Sequence, residues 1–112
     1  MIFITGPLLA GKQSYICAAL GLSLDEFARR AVWDVQELAA KEPDLPALAE
    51  ALAQREIVIA TEVGGGVVPT DPEEREAREA AGRLSCLLAE RADTVVRVYC
   101  GLPQVLKGQL PC

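Results

Sequence analysis

The chain contains no histidine, and that absence excludes more chemistry than any residue present. Without an imidazole no side chain titrates near neutrality unless its environment shifts it. Mechanisms built on a histidine base, nucleophile or metal ligand are therefore ruled out. Aromatic residues are scarce at 4%, although hydrophobic residues make up 51%. The core is expected to be filled by Ala, Leu, Val and Ile, as where helices pack on a parallel sheet. Positive charge is short as well: 11 Lys and Arg against 16 Asp and Glu give a net charge of -5, with no basic cluster. A nucleic-acid surface needs concentrated positive charge, so nucleic acid is not an expected partner. A nucleotide is compatible, because backbone N–H groups and one lysine can neutralise phosphate locally.

Long hydrophobic runs are missing too. The apolar start is short and soon broken by glycine, which fits neither a signal sequence nor a membrane span. The cysteines, Cys17, Cys86, Cys100 and Cys112, show no C-x-x-C spacing. They read as reduced thiols of a cytoplasmic protein with no membrane partner, and no metal-ligand set is apparent. A chain of 112 residues is expected to form one domain, residues 1–112, around one core.

Three runs have the character of strands: Ile2-Phe3-Ile4-Thr5, Ile57-Val58-Ile59-Ala60-Thr61 and Thr94-Val95-Val96-Arg97-Val98-Tyr99. They are short and β-branched, as suits strands buried on both faces of a parallel sheet. Helical patterns separate them. The first opens in a glycine-rich loop and runs through Ser14 to Leu20, with Gly21 as its C-cap. Ser23 and Glu26 spell a capping box for a second, which carries Leu24, Phe27 and Ala31. From Val35 to Leu45 the pattern is indistinct. Asp44-Leu45-Pro46 then starts a helix with Leu48 and Leu52 on one face. The longest helix begins at Pro72, with Glu73, Glu74 and Glu76 where the dipole favours acids, and Ala77, Ala81, Leu84 and Leu88 as its apolar stripe. The order β-α-α-α-β-α-β requires crossovers and predicts an α/β fold with a parallel sheet.

The stretch Gly6-Pro7-Leu8-Leu9-Ala10-Gly11-Lys12-Gln13 follows the first strand and opens the first helix. Its spacing is that of a phosphate-binding loop, G-x-x-x-x-G-K-[ST]. There, backbone N–H groups face the phosphates, lysine reaches the β- and γ-phosphates, and a hydroxyl holds Mg²⁺. Gln13 replaces the hydroxyl. Ser14 is adjacent, but one residue along a helix turns a side chain by about 100°. Gly6 through Ser14 are the expected nucleotide-binding residues, with Lys12 in a catalytic role.

Glu62 follows the second strand and precedes Val63-Gly64-Gly65-Gly66-Val67-Val68-Pro69. An acid at the carboxyl end of a parallel strand lies where open α/β sheets bind ligands, so Glu62 is the second catalytic candidate, orienting a metal or a substrate hydroxyl. The glycine run reads as a functional loop. Trp33 and Asp34 fit either a pocket lining or a packing anchor, with packing preferred. Arg29 and Arg30 read as a solvated helix face, and Cys100 as buried structure ending the third strand.

Met1-Ile2-Phe3-Ile4-Thr5-Gly6 with Gly11-Lys12, the segment Thr61–Pro69, Ala81-Gly82-Arg83, and Gly101-Leu102-Pro103 with Lys107 together resemble the adenosylcobinamide kinase/adenosylcobinamide-phosphate guanylyltransferase family. E-V-G-x-G-V-V-P is the specific piece. The resemblance covers roughly residues 1 to 20 and 57 to 108, with Glu42-Pro43-Asp44-Leu45 a weak echo of the middle. It implies a RecA-like P-loop fold, here a reduced three-layer sandwich around a short, mainly parallel sheet. It also implies GTP or ATP on the loop, Mg²⁺, and phosphoryl transfer to the aminopropanol hydroxyl of adenosylcobinamide in cobalamin biosynthesis or salvage. Family members are longer, form rings of subunits, and pass GMP through a histidine, which this chain lacks. The family's strand ending in an aspartate is not apparent either. A sheet of about three strands leaves edges exposed, so self-association or a partner is expected. Two readings stand: a shortened kinase, or an inactive relative that binds nucleotide or corrinoid and acts through a partner.

Overall fold

Strand β1 (Ile2–Gly6) occupies the centre of a five-stranded sheet. The computed structural model describes residues 1–63 and 71–109. The glycine run at 64–66, its flanking Val67-Val68-Pro69 and Cys112 lie outside the described residues. After β1 come α1 (Lys12–Leu20), α2 (Leu24–Arg30), β2 (Ala31–Val32), α3 (Gln36–Ala39), α4 (Leu45–Leu52), β3 (Ile57–Thr61), α5 (Pro72–Arg91), β4 (Thr94–Tyr99) and β5 (Leu102–Lys107). The sheet order is β2-β3-β1-β4-β5. β1 pairs in parallel with β3, Gly6 opposite Thr61, and with β4, Thr5 opposite Arg97. β2 pairs in parallel with β3, while β5 returns antiparallel along β4.

The period of two along the strands sorts the core onto two faces. Phe3, Val58, Ala60 and Val95 face one way and pack with Val35 and Ala39, Ala49 and Leu52 of α4, and Leu84 and Leu88 of α5. Ile4, Ile57, Ile59, Val96 and Val98 face the other way and meet Ile16 of α1 and Phe27 of α2. Helices thus flank both faces of a mostly parallel sheet, the α/β class expected from the runs of β-branched residues.

The local signals for helix ends are met. Gly21 adopts φ 64° as the C-cap of α1. Ser23 and Glu26 close a reciprocal capping box, with N–H to oxygen distances of 3.1 Å in both directions. Asp44 Oδ1 accepts from the N–H of Ala47 at the start of α4, and Asp71 caps α5 ahead of Pro72. Arg29 is exposed, whereas Arg30 pairs with Glu56 at 2.7 Å.

Three expectations are corrected. The sheet has five strands rather than about three. β2 spans only two residues after a helical pattern, and β5 carries Pro103 and an exposed side chain at every position, so neither leaves a clear period. Ala31 does not belong to α2: it caps that helix in extended conformation and begins β2. Cys100 is exposed, with φ 53°, in the turn joining β4 to β5. Cys17, Cys86 and Cys100 are free thiols. Among the described residues no helix is long and apolar enough to cross a membrane.

Among the described glycines Gly6 has the closest neighbour. It is buried, takes φ 153°, and a Cβ there would collide with the carbonyl oxygen of Val98 on β4. The obstacle is backbone, which cannot swing aside. Gly6→Ala is expected to destabilise the protein by about 2–4 kcal/mol, as overpacking and lost conformational freedom combine. Urea unfolding midpoints measure this, and a loss under about 1 kcal/mol would contradict so close an approach.

Candidate functional site

The loop between β1 and α1 is held from three sides. The N–H of Ala10 donates to Pro7 O at 3.3 Å, and the N–H of Gly101 donates to Ala10 O at 2.8 Å. Gly11 takes φ 88°, and a Cβ on it would stand 3.3 Å from the Cα of Gly101. The β4–β5 turn thus clasps the loop. Leu9 is also left-handed, at φ 59°, a conformation that costs a leucine about 1–2 kcal/mol. Leu8 and Leu9 are 75% and 93% exposed, so the loop carries its apolar side chains outward and leaves its backbone inward.

α1 begins at Lys12 with Gly11 as an N-cap that offers no side-chain acceptor. Its first N–H groups have no intrahelical partner and form the positive end of the helix dipole. That is the arrangement which attracts phosphate. Lys12 is only 9% exposed. Its Nζ donates to Pro7 O at 2.7 Å and to Gly6 O at 3.2 Å, so the ammonium rests on the loop's own carbonyls.

A cavity of about 490 Å³ opens beside this lysine. Leu9, Ala10, Gly11, Lys12, Gln13 and Ser14 line one side of it; Trp33, Asp34 and Thr61 close the other. Asp34 lies two residues past β2, with φ 55°, and its Oδ1 accepts from Thr61 Oγ1 at 3.5 Å, a weak contact. Trp33 is 48% exposed and stacks on Phe27, 4% exposed, with ring centroids 5.2 Å apart. Both readings of Trp33 are therefore realised: one face packs and the residue lines a pocket.

Glu62 stands on the other side of the loop. Its N–H donates to Gly6 O at 2.8 Å, the same carbonyl that Lys12 Nζ contacts. Its carboxylate accepts from Arg97 Nε at 2.7 Å and Arg97 Nη2 at 2.9 Å, a fork that fixes both oxygens. The Arg97 guanidinium also lies 5.3 Å from the ring centre of Tyr99. Pro7, Gln36, Glu62, Arg78, Arg97 and Tyr99 border a second cavity of about 850 Å³.

The fold brings the loop of Gly6 through Ser14 close to Glu62, places Asp34, read from the sequence only as a possible pocket lining, beside Lys12, and adds Arg97, which the sequence did not single out. β2 lies at the sheet edge rather than in its interior and ends at Val32, and Asp34 follows two residues later. Arg97 was visible as a charge inside an apolar run, but nothing local pointed it at Glu62, 35 residues earlier. Among the described residues no group of three or more His, Cys, Asp or Glu side chains gathers to form a metal cage.

Burial lowers the pKa of Lys12 below 10.5, opposed by the negative charges of Asp34 and Glu62. In the window between the depressed value and 10.5, the unfolded chain binds more protons than the folded one, so stability without ligand rises with pH. Anion binding has the opposite sign, because it needs the charged form. The affinity for inorganic triphosphate is expected to fall as pH rises through that window, and Lys12→Arg is expected to flatten the fall. Calorimetric titrations across alkaline pH test this, and parallel curves for both proteins would refute it.

No curated protein matches the chain. The family model for cobinamide kinase / cobinamide phosphate guanyltransferase matches residues 2–106. The match extends from β1 to the β4–β5 hairpin and so spans the middle of the chain as well as the two ends that carry the sequence resemblance. The chain thus belongs to the cobinamide kinase / cobinamide phosphate guanyltransferase family, and membership implies binding of nucleotide and cobinamide in cobalamin biosynthesis or salvage.

Proposed function

We propose that the protein is a cobinamide kinase that transfers the γ-phosphoryl group of GTP or ATP to the aminopropanol hydroxyl of adenosylcobinamide. The observation that carries the reading is the single cavity shared by the loop, Lys12 and Asp34 at the carboxyl ends of parallel strands. Phosphoryl transfer asks a protein mainly for positioning and for charge stabilisation. The N–H groups of the loop and of α1 supply the cradle, and Lys12 exchanges the carbonyls of Gly6 and Pro7 for phosphate oxygens. Glu62, oriented by Arg97, is the second acid of the site and would orient the metal through water from the other side of the loop. A RecA-like arrangement is part of this reading, supported by the parallel order β2-β3-β1-β4. Self-association is another part, supported by exposed Leu102 and Leu106 on the edge strand.

The donors at the cavity fit Mg²⁺. Asp34, Thr61 and Gln13 offer only oxygen or amide groups, and Mg²⁺ bound with nucleotide needs one or two carboxylates while keeping several waters. Asp34 with Gln13 would hold it, and the ion would neutralise charge on the phosphates. Guanylyl transfer through a histidine is not part of the proposal, since the chain has none.

A second reading, a relative that binds nucleotide or corrinoid without turnover, is favoured by Gln13 in place of the hydroxyl. Calorimetry with GTP and ATP, in Mg²⁺ and in chelator, followed by assay for phosphorylated cobinamide, separates the two. The kinase reading expects Mg²⁺-dependent affinity and product. It also expects Asp34→Asn to lower kcat about 10²-fold or more and to remove the Mg²⁺ dependence of nucleotide affinity. Equal affinity in chelator with no product would leave the second reading. Nucleotide binding untouched by Lys12→Ala would defeat both.

A further inference from the structure

Two clefts flank the loop, and each presents one large exposed aromatic ring: Trp33, 48% exposed, and Tyr99, 55% exposed. They are not equivalent. The Tyr99 ring already has a guanidinium against it, 5.3 Å from its centre. Trp33 has one face on Phe27, nearly parallel at 23°, and borders the same cavity as Lys12 and Asp34. Phe27 is buried, so the indole is backed by the core and held at a fixed angle. A large, rigid, half-exposed aromatic surface beside a polar centre is a common form of ligand contact.

The phosphoryl-transfer reading says which ligand meets it. The lysine of a phosphate loop reaches the β- and γ-phosphates. Asp34 lies with Lys12 in the smaller cavity, and Trp33 immediately precedes Asp34 in the chain. The phosphoryl-transfer reading puts the terminal phosphate on the Asp34 side, where the next group beyond it is the phosphoryl acceptor and the nucleobase is separated by the phosphates and the sugar.

We infer that the indole of Trp33 is the acceptor-binding surface, against which a flat apolar part of the acceptor lies while its hydroxyl reaches toward Lys12. This rests on the phosphoryl-transfer reading for the direction of the phosphates, but it is tested by direct binding without nucleotide.

The chain's single tryptophan makes the test specific. Calorimetry of adenosylcobinamide is run on the wild-type protein and on Trp33→Ala, Trp33→Phe and Tyr99→Ala. GTP, ATP and inorganic triphosphate are titrated into the same proteins. Trp33→Ala is expected to weaken acceptor binding about 5- to 150-fold, the range for loss of one stacked ring. Trp33→Phe is expected to restore most of it, Tyr99→Ala to change it less than about twofold, and all three to leave nucleotide affinity unchanged. Should the alanine variant unfold in urea controls, Trp33→Leu, which keeps apolar bulk on Phe27 but no flat ring, replaces it with the same expected direction. Acceptor affinity indifferent to Trp33 overturns the inference. So does a loss confined to nucleotide and spared for inorganic triphosphate, which would make Trp33 a base platform. If the acceptor depends on Trp33 while no nucleotide binds the wild-type protein, the acceptor surface stands and the phosphoryl-transfer reading falls.

Discussion

Everything chemical in this molecule depends on β1 running parallel to both of its neighbours. Parallel pairing brings all carboxyl ends to one edge of the sheet, so Gly6, Thr61 and Arg97, far apart in the chain, end within two register positions of each other. β2 joins the same edge through β3 and delivers Asp34 beyond Val32. Open α/β sheets place ligands at this edge because strand ends and helix starts meet there with their backbone groups unspent. Reversing β1, β2 or β3 would carry Lys12, Asp34 or Glu62 to the far side, and reversing β4 would move Arg97 away from Glu62.

The electrostatics follow from that crowding. Lys12 is largely removed from water and compensated by loop carbonyls and by two carboxylates on either side. Such a group is costly to leave without a partner, and in this loop its partners are carbonyls that an incoming phosphate can replace. Glu62 differs from Asp34 in the same field. Arg97 holds it in a fork, while among the described residues the Asp34 carboxylate accepts one long contact, from the Thr61 hydroxyl. The two acids around one lysine are thus held unequally.

What was legible in the sequence was whatever had a local cause. The loop could be read because glycine spacing, strand and helix all sit within twenty residues, and the caps at Ser23 and Asp44 because each is closed within three. The long strands announced themselves by β-branching. What escaped reading lacked either length or locality. β2 has two residues, too few for any period, and its worth lies in the neighbour it pairs with. Arg97 reads as an interruption of a strand until Glu62 is beside it. Cys100 reads as a core residue because it follows an apolar strand, yet the turn that Gly101 permits exposes it. Trp33 was judged by its rarity, whereas its role depends on Phe27 beneath it and the cavity in front.

The contact between Gly101 and Ala10 has a mechanical side. One hydrogen bond and one close approach of glycine backbones tie the phosphate loop to the turn of the β4–β5 hairpin. The outer strand of that hairpin is the sheet's free edge, open to solvent along its whole length. The loop is therefore coupled to an edge strand that is exposed at every position. Whatever grips the outer strand takes hold, one turn away, of the geometry that receives the phosphates.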